Sequence, residues 1–450
     1  MITQFEVENF KAFADKQTLK FAPITLIYGP NSSGKSSVIQ SLMMLKQTML
    51  SKDKNNELVT SSESINLGTF ESLVHKQDIK KKMSFSIQYN SNHAADEYIF
   101  KHSYPMIFGN TDKRQVDFKY RQVNKMSFLD DYKFSCKDNA GEKVTFHLNN
   151  PITSSEGITF RLNNPESLRK ELSRRLKLKS DDAKGWNALE TNLYEQFKIS
   201  SNLNLPTSVS EAGTALSQYT DKIIDDVKYV FTDLRYLGPL RSSPKKFYSS
   251  EIGSFQKGQG KHNLGLEIES GGAGVKAKIN DFLKSFNIPY TIDVKNLGDV
   301  NTGPLISLQL TDLRNGVTIT PKDVGFGIGQ VLPIILDAVV SESKHICVEQ
   351  PEIHLHPRLQ ANLADLFIDS VETGKNQWII ETHSEALMLR IQRRIREGKI
   401  PKEMVSVLYV DVGESGAQVT ELGLDNEGDF TSHWPNGFFE ERLNERFGTS

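Results

Sequence analysis

The sequence predicts an α/β fold organised around a phosphate-binding loop and interrupted by an inserted lobe that is first β-rich and then helical. Three observations predict it. Near the start, a short apolar strand, Thr25-Leu26-Ile27-Tyr28, runs into a Gly/Asn/Ser loop and then a helix with Val38, Ile39, Leu42, Leu45 and Met49 at helical spacing. From about residue 83 to 162 the pattern turns to period two. From about residue 330 onward, short apolar strands again alternate with amphipathic helices. One α/β domain split by an insertion explains this order more simply than three separate domains. Its expected boundaries are 1–94, 95–234 for the insertion, and 235–450.

In the first segment, Gly29-Pro30-Asn31-Ser32-Ser33-Gly34-Lys35-Ser36, followed by Ser37, fits G-x-x-x-x-G-K-[ST] in full. Glycines let the backbone curl so that successive N–H groups point at phosphate oxygens, and the following helix offers its positive end. Lys35 is then placed to reach the β- and γ-phosphates of ATP, and the Ser36 hydroxyl to ligate Mg²⁺.

In the period-two region that leads into the inserted lobe, Met83, Phe85, Ile87 and Tyr89 alternate with polar partners, as do Val144, Phe146 and Leu148, then Ile158, Phe160 and Leu162. Asn-Asn-Pro at 149–151 and 163–165 reads as two similar turns. Residues 166–179 and 212–232 read as charged helices. The Gly/Ser-rich run 242–274, with Gly271-Gly272-Ala273-Gly274 near its end, reads as a mobile loop before a helix over 275–286. Asn315-Gly316 between apolar runs 305–310 and 317–320 predicts a hairpin.

The last part carries three further candidate segments. Gly325-Phe326-Gly327-Ile328-Gly329-Gln330 opens an apolar helix, which makes a second anion-binding helix start. The chain already has one phosphate loop, so this start is expected to serve the ATP of a second copy. Ile346-Cys347-Val348-Glu349 is an apolar strand ending in an acid that can hold Mg²⁺, and Gln350-Pro351-Glu352 follows. Trp378-Ile379-Ile380-Glu381 is a third strand, whose polar tip Thr382-His383-Ser384 sits where a γ-phosphate sensor belongs. His354 and His356 lie two apart, but without a third ligand such a pair more often packs than binds zinc.

Composition narrows the classes. Lys and Arg number 54 against 56 Asp and Glu, a net charge of −2, so the chain is not a DNA-coating protein by charge alone. Two basic stretches stand out locally: Arg390, Arg393, Arg394, Arg396, Lys399 and Lys402 with Glu397 alone against them, and Arg169, Lys170, Arg174, Arg175, Lys177 and Lys179. Such runs are commonly solvated helix faces. Cys136 and Cys347 give no disulfide framework, and Cys347 reads as a buried thiol. No apolar stretch is long enough for a membrane span and the start has no leader pattern, so a cytoplasmic protein is expected.

Together and in this order, the four motif segments resemble the ABC ATPase superfamily, most closely its OLD-type branch and the SMC- and RecF-like relatives. Asn9-Phe10-Lys11-Ala12-Phe13 followed by ITLIYGPNSSGKSS looks like the opening of those proteins. Residues 65–75 fall at the Q-loop region, and EQPEIHLHPRLQANLADLF resembles the Walker B and D-loop run. GFGIGQ stands in place of the usual signature, and Trp434-Pro-Asn-Gly-Phe-Phe439 matches the close of one bacterial subgroup. The resemblance covers about 1–90 and 235–450. It implies an ABC-type P-loop ATPase head, a head-to-head homodimer or higher oligomer, and ATP with Mg²⁺ as cofactors. It adds Lys11 and Ser37 to the nucleotide contacts of residues 29–36. Gly327, Gly329 and Gln330 become contacts across the dimer, Ser36 and Glu349 the metal residues, and Glu349, Gln350, Glu352 and His383 the catalytic set.

One departure bears on activity. The superfamily usually places Asp then Glu at the end of the acidic strand, where this chain has Glu349 and Gln350. Gln350 cannot take a proton, though it can orient water, and Glu352 could substitute as the base. Slow turnover is the expectation. The region after Ser384 has no Asp-x-Asp of the kind found in OLD nucleases. With relatives in antiphage systems such as Septu and PARIS, the implied function is an ATP-driven sensor or scaffold controlling a separate effector, a nuclease, in antiviral defence. The rival reading is a RecF/SMC-like DNA-maintenance ATPase that grips DNA directly through the basic stretches.

Overall fold

The computed structural model describes residues 1–51, 58–62, 65–90, 113–137, 143–154, 157–163, 197–198, 214–239, 241, 246–249, 264–301, 303–435 and 448. The chain opens with β1 (Ile2–Glu8), β2 (Gln17–Lys20), β3 (Ile24–Tyr28), α1 (Lys35–Met49) and the single turn α2 (Phe70–Leu73). It continues through β4 (Met83–Asn90), β5 (Lys113–Val123), β6 (Met126–Lys137), β7 (Lys143–Ser154), β8 (Gly157–Asn163), β9 (Phe197–Lys198) and α3 (Thr214–Thr232). Next come β10 (Leu234–Leu237), β11 (Phe247–Ser249), α4 (Leu264–Ser285), β12 (Tyr290–Asn296), β13 (Leu305–Asp312), β14 (Thr318–Ile319) and α5 (Phe326–Val340). The last elements are β15 (His345–Glu349), α6 (Pro357–Gly374), β16 (Gln377–Glu381), α7 (Glu385–Arg396), β17 (Val405–Val412) and β18 (Ala417–Leu422). This is the mixed α/β class that the sequence predicts. The chain divides into two compact units, Met1–Lys20 with Ser37–Thr232 and Val412–Val419, and Phe21–Ser36 with Asp233–Asp411 and Thr420–Ser450.

The first unit is built on an antiparallel sheet in the order β2-β1-β4-β5-β6-β7-β8-β9. Period-two apolar residues make one face of it: Phe5, Phe85, Ile87, Phe118, Tyr120, Tyr132 and Phe134 are all buried. Within this unit Tyr89 and Arg114 both hydrogen-bond the buried Asp226 of α3, which fixes the helix to the sheet. Asn149-Asn150-Pro151 is not a turn. β7 runs through it with a register shift between Asn149 and Ile152 against β8. A proline lacks a ladder N–H, so a bulge accommodates it without ending the strand. The second Asn-Asn-Pro, from residue 164 on, and the helix expected at 166–179 lie outside the described residues.

The second unit holds a six-stranded sheet in the order β10-β15-β16-β3-β17-β18, in which the first five strands run parallel. Every residue of β3, β15 and β16 is buried, as expected of strands covered on both faces. Cys347 is fully buried in β15. A smaller sheet joins β11, β13 and β12, with β14 closing the Asn315-Gly316 hairpin onto β13. Residues 264–274 are not loop but the first half of α4, which continues to Ser285. Gly272, at φ 63°, kinks the helix there, so the glycines bend it instead of ending it.

Candidate functional site

The parallel sheet sets the site. In a parallel sheet, ligands bind beyond the carboxyl ends of the strands, where strand order reverses direction. Here β3 has β16 on one side and β17 on the other, and the phosphate loop leaves β3 at that point. Glu381 pairs in register with Ile27 on β3 and with Glu349 on β15, so both acids stand level with the start of the loop.

The loop is shaped by its glycines. Gly29 has φ 146° and Gly34 φ 107°, and Ser32 also takes a left-handed φ of 62°. A Cβ on Gly29 would overlap the Val410 carbonyl oxygen of β17, so only glycine fits between the loop and that strand. Lys35 is buried and its Nζ donates to the Pro30 carbonyl at 2.7 Å, across the mouth of the loop. Burial lowers its pKa, and the charges of Glu381 and Glu352 partly offset this. The Ser33 hydroxyl is buried with no hydrogen-bond partner, a group that a phosphate oxygen would satisfy. The Ser36 hydroxyl donates to Glu381 Oε1 at 2.9 Å. Ser37 is buried on α1.

The acids fall into three environments. Glu349 is buried and accepts from the Tyr236 hydroxyl of β10 at 3.0 Å. That phenol is pushed well above its usual range, first by burial and then by the Glu349 charge. Glu352 accepts from the Thr382 hydroxyl at 2.8 Å and from the His383 backbone N–H at 2.7 Å. Burial raises its pKa despite these bonds. Glu381 is also raised by burial, with Ser36 and Lys35 pulling the other way, and its Oε2 is buried without a hydrogen-bond partner. His383 is lowered by burial and by the Lys35 charge, so the imidazole is neutral near pH 7. Gln350 adopts φ 44° and its N–H donates to the Glu381 carbonyl at 2.7 Å, which carries the chain from β15 across β16.

The glycine-rich helix start forms α5, with Gly325 as an N-cap that makes no side-chain bond. With no capping side chain and no acid in the first turn, its N-terminus suits an anion. A Cβ on Gly327 would come within 2.9 Å of the His354 carbonyl oxygen, so this helix start is pressed against the loop after β15. The Gly329 N–H is used inside the helix, donating to Gly325 O. Gln330 is buried and spent on Arg241: its Oε1 accepts from the Arg241 N–H at 3.1 Å and its Nε2 donates to the Arg241 carbonyl at 2.6 Å.

Arg241 was not legible in the sequence. Its guanidinium donates to the carbonyls of Gln330, Gly238, Glu349 and Gln350 at 2.9 to 3.2 Å. Burial pushes it down to about 10, so it stays charged at neutral pH. It ties the helix start of α5 to the tip of β15. Lys11 belongs to the first unit, where its Nζ donates to Gln40 and its carbonyl bonds His75 Nδ1 at 2.8 Å. His356 caps α6 through Nδ1, and among the described residues no three His, Cys, Asp or Glu side chains form a metal-binding group.

The residues fit a nucleotide with Mg²⁺. The loop supplies curled backbone and a lysine, Ser33 Oγ and Glu381 Oε2 are buried and unsatisfied, and Ser36 with nearby carboxylates is an oxygen set suited to that ion. The basic stretch around α7 is more neutralised than its sequence suggests. Arg390 and Arg394 pair with Asp365, Arg393, Arg394 and Lys399 with Glu397, and Arg396 with Asp429. The stretch at 169–179 lies outside the described residues.

Residues 1–388 match the AAA ATPase domain. No curated protein matches the chain. Among solved structures it is similar to an SMC head domain from Thermotoga maritima, at 10% identity over 94% of this chain and 99% of that one, TM-score 0.38. It is also similar to the Pyrococcus furiosus Smc head domain with an extended coiled coil bound to the C-terminal domain of ScpA, at 9% identity, 94% and 96% coverage, TM-score 0.46. A SmcHead bound to the C-winged helix domain of ScpA matches at 10% identity, 94% and 98% coverage, TM-score 0.45.

Proposed function

The chain belongs to the AAA ATPase domain family, and on that footing we propose that it is a slow, ABC-type ATPase of SMC/RecF-like kind whose copies close head to head on ATP and control a separate effector. The observation that carries the ATP reading is the convergence of Lys35, Ser36, Glu352 and Glu381 at the carboxyl ends of three adjacent parallel strands. Lys35 would hold the β- and γ-phosphates, and Ser36 with a neighbouring acid the Mg²⁺ that neutralises them. Bound Mg²⁺ supplies charge stabilisation of the transferring phosphoryl group.

Slow turnover follows from the site's base. Gln350 is neutral, so the proton of the attacking water must go elsewhere. Glu352 is the residue best placed to take it: two hydrogen bonds fix its carboxylate beside His383, and burial raises its basicity. Those bonds also stabilise the carboxylate form, which limits the gain in basicity. His383 would sense the γ-phosphate as a neutral donor.

Dimerisation is supported by the start of α5, which has no side-chain cap and no acid in its first turn. Gln330 is fully used by Arg241, so the backbone of Gly327 and its neighbours, not the Gln330 side chain, would face the partner's ATP. We place the ATPase head in 1–94 and 235–450 and the inserted lobe in 95–234, whose strands β5 to β8 lengthen the antiparallel sheet begun by β1, β2 and β4. That lobe is the proposed contact for an effector, a nuclease acting in antiphage defence. Among the described residues no helix is long and apolar enough to cross a membrane.

Direct gripping of DNA is the second reading, and the ion pairs along α7 weaken it. The test is the steady-state ATPase rate at low salt with and without double-stranded DNA. A slow rate indifferent to DNA supports the effector reading. Strong stimulation would overturn it in favour of DNA gripping, with a steep salt dependence as its companion sign.

A further inference from the structure

Two acids end the strands beside the phosphate loop, and the sequence favours Glu349 for the metal because it closes the strand of Walker B type. The geometry points to the other: we propose that Glu381, not Glu349, is the carboxylate that supports Mg²⁺ at the phosphate loop, accepting a hydrogen bond from the Ser36 hydroxyl on one oxygen, with its second oxygen the one that would accept from a metal-bound water. The inference rests on the ATP reading above and refines its metal site.

Position argues first. β16 is hydrogen-bonded directly to β3, whereas β15 is one strand further away. Glu381 is therefore the nearer acid, and the Ser36 hydroxyl already bonds it at 2.9 Å. A hydroxyl has one proton and two lone pairs. While its hydrogen is donated in the hydrogen bond to Glu381, the hydroxyl oxygen keeps lone pairs for a cation. The existing hydrogen bond thus pre-orients Ser36 as a ligand and does not compete with metal.

Satisfaction argues second. Glu349 has a hydrogen-bond donor in Tyr236, on the side of the sheet away from β3. Glu381 has one oxygen on Ser36 and the other buried with no hydrogen-bond partner. An unsatisfied buried carboxylate oxygen is costly, and such groups mark places where an ion or its water completes the structure. Outer-sphere carboxylates of this kind orient ligands and set metal affinity. Glu349 is left to fix Tyr236 and, through its carbonyl, Arg241.

The test is binding of a fluorescent mant-ATP to the full chain, titrated with excess Mg²⁺ and with EDTA. Glu381→Gln keeps an acceptor for Ser36 but removes the charge. It is expected to lower the Mg²⁺ affinity of the protein–nucleotide complex roughly 10- to 100-fold, with metal-free binding within about threefold of wild type. Glu349→Gln is expected to change that Mg²⁺ affinity less than about threefold. Glu381→Asp, which keeps the charge on a shorter arm, should recover part of the loss. The assignment is overturned if Glu381→Gln keeps wild-type Mg²⁺ dependence while Glu349→Gln loses it. It is equally overturned if Glu381→Gln weakens binding to the same extent with and without metal, since that is a structural role. Failure of the ATP reading looks different: wild type and Lys35→Ala would bind mant-ATP equally poorly under both conditions.

Discussion

At the scale of single residues, the site sorts its ionisable groups by what surrounds them. Lys35 is buried and pointed across the loop, so Lys35→Ala should abolish ATP binding, and equilibrium titration reads this directly; wild-type affinity in that variant would remove the phosphate-site assignment. Glu352→Gln should cut turnover about 100-fold or more with ATP affinity nearly unchanged, as expected for loss of a general base. Because burial raises Glu352, its base form is lost as pH falls through a value above the ordinary 4.5, and the acid limb of the kcat profile should lie above that of an unperturbed carboxylate. His383→Ala should slow hydrolysis more than it weakens binding, which single-turnover and binding measurements separate. The raised pKa of Glu381 has a stability consequence of defined sign. The folded chain keeps a proton that the unfolded chain has released, so the folded state loses stability as pH rises from the ordinary carboxylate range through the raised value. Without nucleotide, Glu381→Gln should therefore melt higher than wild type at neutral pH, with the gain fading in acid.

At the scale of elements, the strand order decides what meets at the site. The phosphate loop, the acidic strand and the hairpin at Asn315-Gly316 were legible because each is written in a few adjacent residues with one physical meaning. The partnership of Ser36 with Glu381 was not, since nothing local in Trp378-Ile379-Ile380-Glu381 says that this strand, and not β15, lies beside β3. Tyr236 and Arg241 were missed for the same reason: they reach the site from the end of β10, far away in sequence. Two local readings failed where packing overrides punctuation. Asn149-Asn150-Pro151 is absorbed as a bulge because strands on both sides hold β7 in place, and Gly271 to Gly274 lie inside α4 because the helix bends at Gly272. Arg241 belongs to this scale, since four carbonyls from three segments depend on it. Arg241→Ala removes the side-chain donor from those four carbonyls inside the unit, while the Gln330 side chain keeps its bonds to the backbone of residue 241, and should destabilise the fold by about 3 kcal/mol, measurable by denaturant unfolding.

At the scale of the whole molecule, the chain is a P-loop ATPase of the AAA ATPase domain family whose proposed output is assembly more than heat release. In the proposed function, a neutral glutamine where a base is usual would favour a long-lived ATP-bound state, and the start of α5, which has no side-chain cap, would offer that state a second surface. The measurement that tests this most directly is the mass of the chain in solution by sedimentation velocity, without nucleotide, with ADP and with ATP, each with Mg²⁺. Closure of two heads on ATP predicts a doubling of mass with ATP that ADP does not produce, that Lys35→Ala abolishes and that Glu352→Gln prolongs. An unchanged mass in all three conditions, while ATP is bound, would contradict it.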